Sequence, residues 1–210
     1  KRGYKYIAIT DHSQSLKFAG GLIEERLREQ VEEIQKLNQE LKDFTILSGI
    51  EVDIKSDGSL DFSDEILSKL DVVIAAIHSG FKQESKIITE RIIKAMQNRF
   101  VNIIAHPTGR LIGYRESYQV DINEMMEVAA KTGTILEINS YPERLDLNDI
   151  YCRMAKDRGV QLAIETDAHS IEGLTFMDLG VAVARRGWLE EKEVINTLPL
   201  DKLLKRLKNR

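Results

Sequence analysis

Asp71-Val72-Val73-Ile74-Ala75-Ala76-Ile77-His78 is an apolar, strand-like run that delivers a histidine at its end, and the arrangement recurs along the chain. Residues 6–10 run into Asp11-His12, residues 101–105 into His106, and Leu162-Ala163-Ile164-Glu165-Thr166 into Asp167-Ala168-His169. Two more such runs deliver Glu51 and Glu137. All four histidines of the chain therefore share one topological position, and acids share it with them. When parallel strands alternate with helices, every strand end opens on one face, and enzymes of that architecture build their sites there. Imidazoles and carboxylates converging on such a face suit a metal-dependent hydrolase.

Between the strand-like runs the apolar spacing changes. Leu27, Val31, Ile34, Leu37 and Leu41, with charged and amide residues between them, predict an amphipathic helix over 23–43. Further helices are expected over 63–70, 87–98, 121–131, 148–157, 174–186, 190–196 and a basic 200–208. Strands are expected over 6–10, 45–50, 71–77, 101–105, 134–138 and 160–165, and residues 52–60 read as an excursion turning at Asp57-Gly58. Parallel neighbours need crossover helices, so six strand–helix units imply a mostly parallel α/β sheet with helices outside. Lys1-Arg2-Gly3 reads as the last turn of a helix with its glycine cap, so an upstream strand is expected. A seventh unit would close a barrel, whereas six leave one side open.

The bulk composition narrows the class. The 210 residues fit a single domain with 42% hydrophobic residues to fill its core. With 30% charged residues and a net charge of −4, the chain is not a free-standing, strongly basic nucleic-acid binder, although a local basic groove is compatible. The single cysteine, Cys152, excludes an internal disulfide and reads as a small buried side chain in a reducing, cytoplasmic compartment. No apolar run approaches the roughly 20 residues needed to span a bilayer, so no membrane association is expected.

Each histidine alone has a bland reading: Asp11-His12 as a strand end and helix cap, His106-Pro107 as a turn. No capping rule puts all of them, with Glu51 and Asp167, at strand ends. A ligand set without thiolate suits zinc, manganese or iron. Glu51 offers two oxygens and can bridge two ions. Ions about 4 Å apart activate a water and stabilise a leaving oxygen, which makes phosphoester hydrolysis the natural chemistry. The same face carries Lys17, Lys82, Arg110, Arg115 and Arg144. Arg110 and Arg115 are the best phosphate contacts because guanidinium grips phosphate bidentately, and Lys82 is a third candidate. Asp53 and Asp57 read as serving the turn, Trp188 as core or interface packing. Tyr114, Tyr118 and Tyr141 are either stacking surfaces or rim packing.

Five motifs carry a specific resemblance: Thr10-Asp11-His12, Gly49-Ile50-Glu51, Ile77-His78-Ser79, Ala105-His106-Pro107 and Thr166-Asp167-Ala168-His169. They resemble the PHP (polymerase and histidinol phosphatase) superfamily from its second metal motif onward. Ser79-Gly80-Phe81, the run from His106 to Gly113, Glu137-Ile138-Asn139 and Ala184-Arg185-Arg186-Gly187-Trp188-Leu189 resemble the C-terminal PHP domain of bacterial family-X DNA polymerases. The resemblance implies a distorted (βα)7-type barrel holding up to three divalent ions, Mn2+ or Zn2+. It makes Glu51 the bridging ligand, with His78 and His106 completing the second ion. Asp167 would hold the first ion, and His12 and His169 the third. The implied activity is 3′→5′ trimming of DNA 3′ ends, with a polymerase core upstream on the natural chain. The family's first His-x-His motif is absent, in line with the expectation of a missing first strand. A histidinol-phosphatase-like enzyme and a catalytically impaired scaffold are the alternatives.

Overall fold

The alternation is realised in a computed structural model, which describes residues 2–209. Strands β1 (Tyr6–Ile9), β2 (Thr45–Asp53), β3 (Val72–Ala76), β4 (Ile103–Ile104), β5 (Ile135–Asn139) and β6 (Leu162–Glu165) form one sheet. Their spatial order is their chain order, and each neighbouring pair is parallel. The helices are α1 (Glu24–Glu40), α2 (Asp64–Leu67), α3 (Ser85–Gln97), α4 (Ile122–Thr132), α5 (Asp149–Asp157), α6 (Met177–Arg186) and α7 (Leu200–Lys208).

Side chains alternate across the curled sheet with the period of two that a strand imposes. Val73 and Ala75 of β3, Leu136 and Ile138 of β5, and Leu162 and Ile164 of β6 pack outward with Ile88, Ile92, Met125, Met126 and Cys152 of the helices. Leu47, Val72, Ile74, Ile103, Ile135 and Ala163 point inward and pack on Leu203 and Leu207 of α7. By the same period, the inward positions nearer the strand ends fall to Glu51, Asp53, Glu137, Asn139 and Glu165. One face of one sheet is thus oily at the α7 end and polar at the other.

Among the described residues β1 and β6 do not pair, so the sheet curls without closing. A cavity of about 1040 Å³ is lined by β1, by the inward faces of β3 to β6 and by α7. The Tyr6 hydroxyl spans part of the opening, donating to the Asn196 and Leu198 carbonyls at 3.0 and 2.8 Å.

Several expected boundaries change for identifiable reasons. The helix expected at 190–196 is two 3-10 turns, Glu191–Glu193 and Ile195–Thr197. Here Val194 pairs with Leu162, and the Asn196 carboxamide bonds both the N–H and the carbonyl of Ile164. The segment keeps only short i→i+3 bonds of its own and also bonds to the free edge of β6. Strand β2 extends past residue 50 to Asp53, keeping Glu51 within the ladder. Strand β4 is short because the Asn102 side chain takes the Val73 N–H. Gly3 has φ +86, as a capping glycine would, and Lys1 lies outside the described residues. No helix among the described residues is long and apolar enough to cross a membrane.

Candidate metal centre

Glu51 is the hub. The chain beyond β1 continues along β2, with Glu51 N–H bonded to the Asp11 carbonyl and Ser13 N–H to the Glu51 carbonyl, which lays His12 against Glu51. His78 follows β3, and His106 follows β4. Their side chains meet on one carboxylate. His106 Nε2 and His78 Nε2 lie 3.1 and 3.2 Å from Glu51 Oε1, and His12 Nδ1 lies 3.3 Å from Oε2. Ring contacts continue the series, His106 to His78 at 5.3 Å, His78 to His12 at 5.0 Å and His12 to His169 at 5.8 Å between centroids. The four sequence-predicted histidines are therefore one array. Asp167 lies at its far end, with His169 Nδ1 3.6 Å from its Oδ1.

These residues fit a cation. One ligand atom each from His12, Glu51 and His78 lie within 4.8 Å of one another. His12 Nδ1 and His78 Nε2 are buried and make no hydrogen bond despite facing Glu51. A buried polar atom left unsatisfied costs about 1–3 kcal/mol, which coordination would relieve. The same crowding shifts the titrating groups. Burial acts to raise the Glu51 carboxyl, but the His106 and His78 imidazoles hold it well below the usual carboxylate range. Burial lowers His12. His78 resists its own burial and is pushed up to about 9 by Asp53 and Glu51. Nearby, burial and the crowding of Glu165 and Asp167 hold Glu137 well up, and Glu165 is pushed up to about 8. Carboxylates crowded this way repel one another until a cation joins them.

Two of the array's residues have unusual backbones: φ is 27° at His106 and 48° at Asp167. Left-handed conformations cost a non-glycine residue roughly 1–3 kcal/mol and cluster at functional sites. The surrounding loops fix the first of them. Asp146, wholly buried, accepts from Thr108 N–H and Gly109 N–H at 3.0 Å each. Gly109 must be glycine, since a Cβ there would sit 2.1 Å from the Tyr118 ring. From α3, the buried Arg91 donates to the carbonyls of Ile54, Lys55 and Ser79, tying the loops after β2 and β3 together beside His78.

Asp53 does not serve the turn as expected. It is buried, and its Oδ1 lies 3.1 Å from His78 Nδ1, the arrangement by which a carboxylate orients a metal-binding imidazole. Asp57 does serve the turn, accepting from Ser59. The expected phosphate contacts are also redistributed. Arg110 donates to the Arg144 and Leu145 carbonyls. Arg115 donates to the Gly109 carbonyl and lies 3.9 Å over the Phe81 ring. Both guanidiniums brace loops. Lys82, on the loop after β3, and Lys17, at the start of a 3-10 turn (Lys17–Ala19), both stand exposed. Arg144 points to the centre: its Nε lies 3.4 Å from Asp167 Oδ2, and its Nη1 is buried without a partner. Tyr118 is buried, Tyr141 packs on Phe176, and Tyr114 is exposed. Trp188 is 72% exposed, so it is not core.

No family model matches the chain. Over 200 residues it is 52% identical to the DNA polymerase/3′-5′ exonuclease PolX of Bacillus subtilis (strain 168), covering 95% of this chain but only 35% of that protein. It is also 30% identical over 207 residues to a probable phosphatase of Thermoanaerobacter sp. (strain X514), covering 94% of this chain and 80% of the phosphatase. The chain belongs to the PHP superfamily. The fold agrees: this PHP domain matches histidinol phosphate phosphatase (HisK) from Lactococcus lactis with a TM-score of 0.57. The match covers 90% of this chain and 84% of that one, and at 13% identity it concerns the fold alone. That structure is a complex with zinc, L-histidinol and phosphate.

Proposed function

We propose that this PHP domain is a metal-dependent phosphoesterase that removes nucleotides from DNA 3′ ends. The observation that carries the reading is Glu51, a buried carboxylate faced by imidazoles from three different strand ends. The 52% identity to PolX directs it to DNA. His12, Glu51, His78, His106, Asp167 and His169 would hold divalent ions, Mn2+ or Zn2+. When bound, such ions polarise a phosphoryl oxygen and make water acidic enough to serve as nucleophile near neutral pH. The chain's own groups do the rest. Asp53 keeps the His78 ring oriented with Nε2 toward Glu51. Arg144, with an unpartnered Nη1 beside Asp167, offers a fixed donor to a phosphate oxygen. Asp146 and Arg91 keep the loops from loosening around the site. The open, polar end of the cavity admits a strand end.

In this reading a polymerase core is the domain's covalent partner, as the greater length of PolX supports, and the compartment is the cytoplasm. A small-molecule phosphatase is the second reading, supported by the similarity to a probable phosphatase and by the HisK-like fold. The two separate in one assay with Mn2+, primer–template DNA beside histidinol phosphate. Shortening of the primer from its 3′ end is expected, and turnover of the small ester alone would sink the nuclease reading. Glu51→Ala and His106→Ala should each abolish activity and lower metal content. Full rate and full metal in either variant excludes the centre.

A further inference from the structure

Asn139 ends β5 with its carboxamide fully buried and every polar atom used. Its Nδ2 donates to Glu137 Oε1 and to Asp167 Oδ2, each at 3.1 Å, and its Oδ1 accepts from Tyr141 N–H at 2.9 Å. The other oxygen of Glu137 accepts the backbone N–H of His106. One connected series of hydrogen bonds therefore runs from His106, beyond β4, through β5 to Asp167, beyond β6. Its two ends are the two candidate ligands with left-handed backbones. Conformations of that cost persist only where the surroundings over-determine them.

We infer that Asn139 is a positioning residue that holds Asp167 directly, and His106 through Glu137, in the conformations in which they bind metal. The inference rests on the metal-centre reading above. A primary amide is the group this place requires. Two carboxylates converge on one point, and only a neutral side chain with two N–H donors satisfies both without adding charge. Aspartate has the same size but would present a further acceptor to both. Alanine would remove the donor from both, leaving Asp167 Oδ2 only the Arg144 Nε at 3.4 Å. Outer-shell hydrogen bonds of this kind typically change metal affinity by about 10–100-fold when removed.

The test uses the 210-residue protein and its Asn139→Ala and Asn139→Asp variants. Mn2+ affinity is measured from the electron paramagnetic resonance of the free ion, and thermal melting is recorded in EDTA. Amide resonances of His106 and Asp167 are compared in the metal-free state. The expected result is cooperative melting in EDTA for at least one variant, Mn2+ binding weakened about 10–100-fold, and displaced His106 and Asp167 resonances. A lowered melting temperature with wild-type Mn2+ affinity per folded molecule would make Asn139 merely structural and overturn the inference. So would retained or raised affinity in every folded variant, or failure of both variants to fold. Wild-type protein that takes up neither Mn2+ nor Zn2+ would instead refute the metal centre itself, and Asn139's role with it.

Discussion

Gly180→Ala should destabilise this protein, against the usual trend. Gly180 lies inside α6, where replacing glycine by alanine ordinarily stabilises a helix by about 1 kcal/mol. Here a Cβ would lie 2.0 Å from Ser140 Oγ and 2.5 Å from Ile164 Cγ2. Rotating the small hydroxyl relieves the first contact but not the second, because Ile164 is itself packed in the core. Overpacking a tight core costs about 1–3 kcal/mol, and overlaps this deep belong at the upper end. Set against the propensity gain, the net loss is roughly 2 kcal/mol. For a chain of this size that lowers the melting temperature by about 4–8 °C. The clash pushes on β5 and β6, so Mn2+ affinity should fall with it. Thermal melts in EDTA and urea titrations with an unchanged slope would check the stability change. A variant melting at or above the wild-type temperature would refute the claim that close approach of α6 to the strand ends is what requires glycine.

Arg91→Lys keeps the charge but cannot reach the three carbonyls that the guanidinium serves, so it should cost roughly 2 kcal/mol in urea unfolding. Stability equal to wild type would show those carbonyls are satisfied otherwise. Cys152 is fully buried and its thiol is pushed up to about 12 by burial, with Asp149 adding to the shift. At pH 8 only about one thiol in 10⁴ is then ionised, and a disulfide reagent should label the protein only when it is denatured. Rapid labelling of the native protein would contradict that packing. Mn2+ at about 100 times its dissociation constant should stabilise the fold by about 2.7 kcal/mol, because it binds the folded state alone. Calorimetry that finds no rise in melting temperature on adding Mn2+ or Zn2+ would count against a preformed centre.

The fold was legible because two different periods alternate along the chain. Apolar runs such as Val72–Ala76 and helices spaced like α1 each announce themselves within a few residues. What stayed hidden was non-local. Residues 190–196 have a helical pattern, but the unpaired edge of β6 offers hydrogen bonds that a lone helical turn does not. Asn102 shortens β4 by lending its side chain to a neighbouring strand, a use of asparagine that composition does not disclose.

The site divides in the same way. His12, Glu51, His78, His106, Asp167 and His169 could be named because each ends or follows a strand-like run, a property of short stretches. Asp53 and Asn139 could have been found by one further step. Each lies two residues beyond an acid on the same strand, Glu51 and Glu137, and so on the same inward face. Reading β2 as ending at residue 50 removed Asp53 from that periodicity and gave it to the turn. The arginines mark the limit of such reasoning. Arg110 and Arg115 read as the best phosphate contacts, although Arg144 carries the same guanidinium on a loop of the same face. Only the fold decides which backbone carbonyls compete for them. Arg110 and Arg115 each use two nitrogens on carbonyls, whereas Arg144 keeps one buried nitrogen free beside Asp167. Residue type and strand position therefore located the charges that gather at the centre, while the competition among loops determines which guanidinium keeps a nitrogen free there.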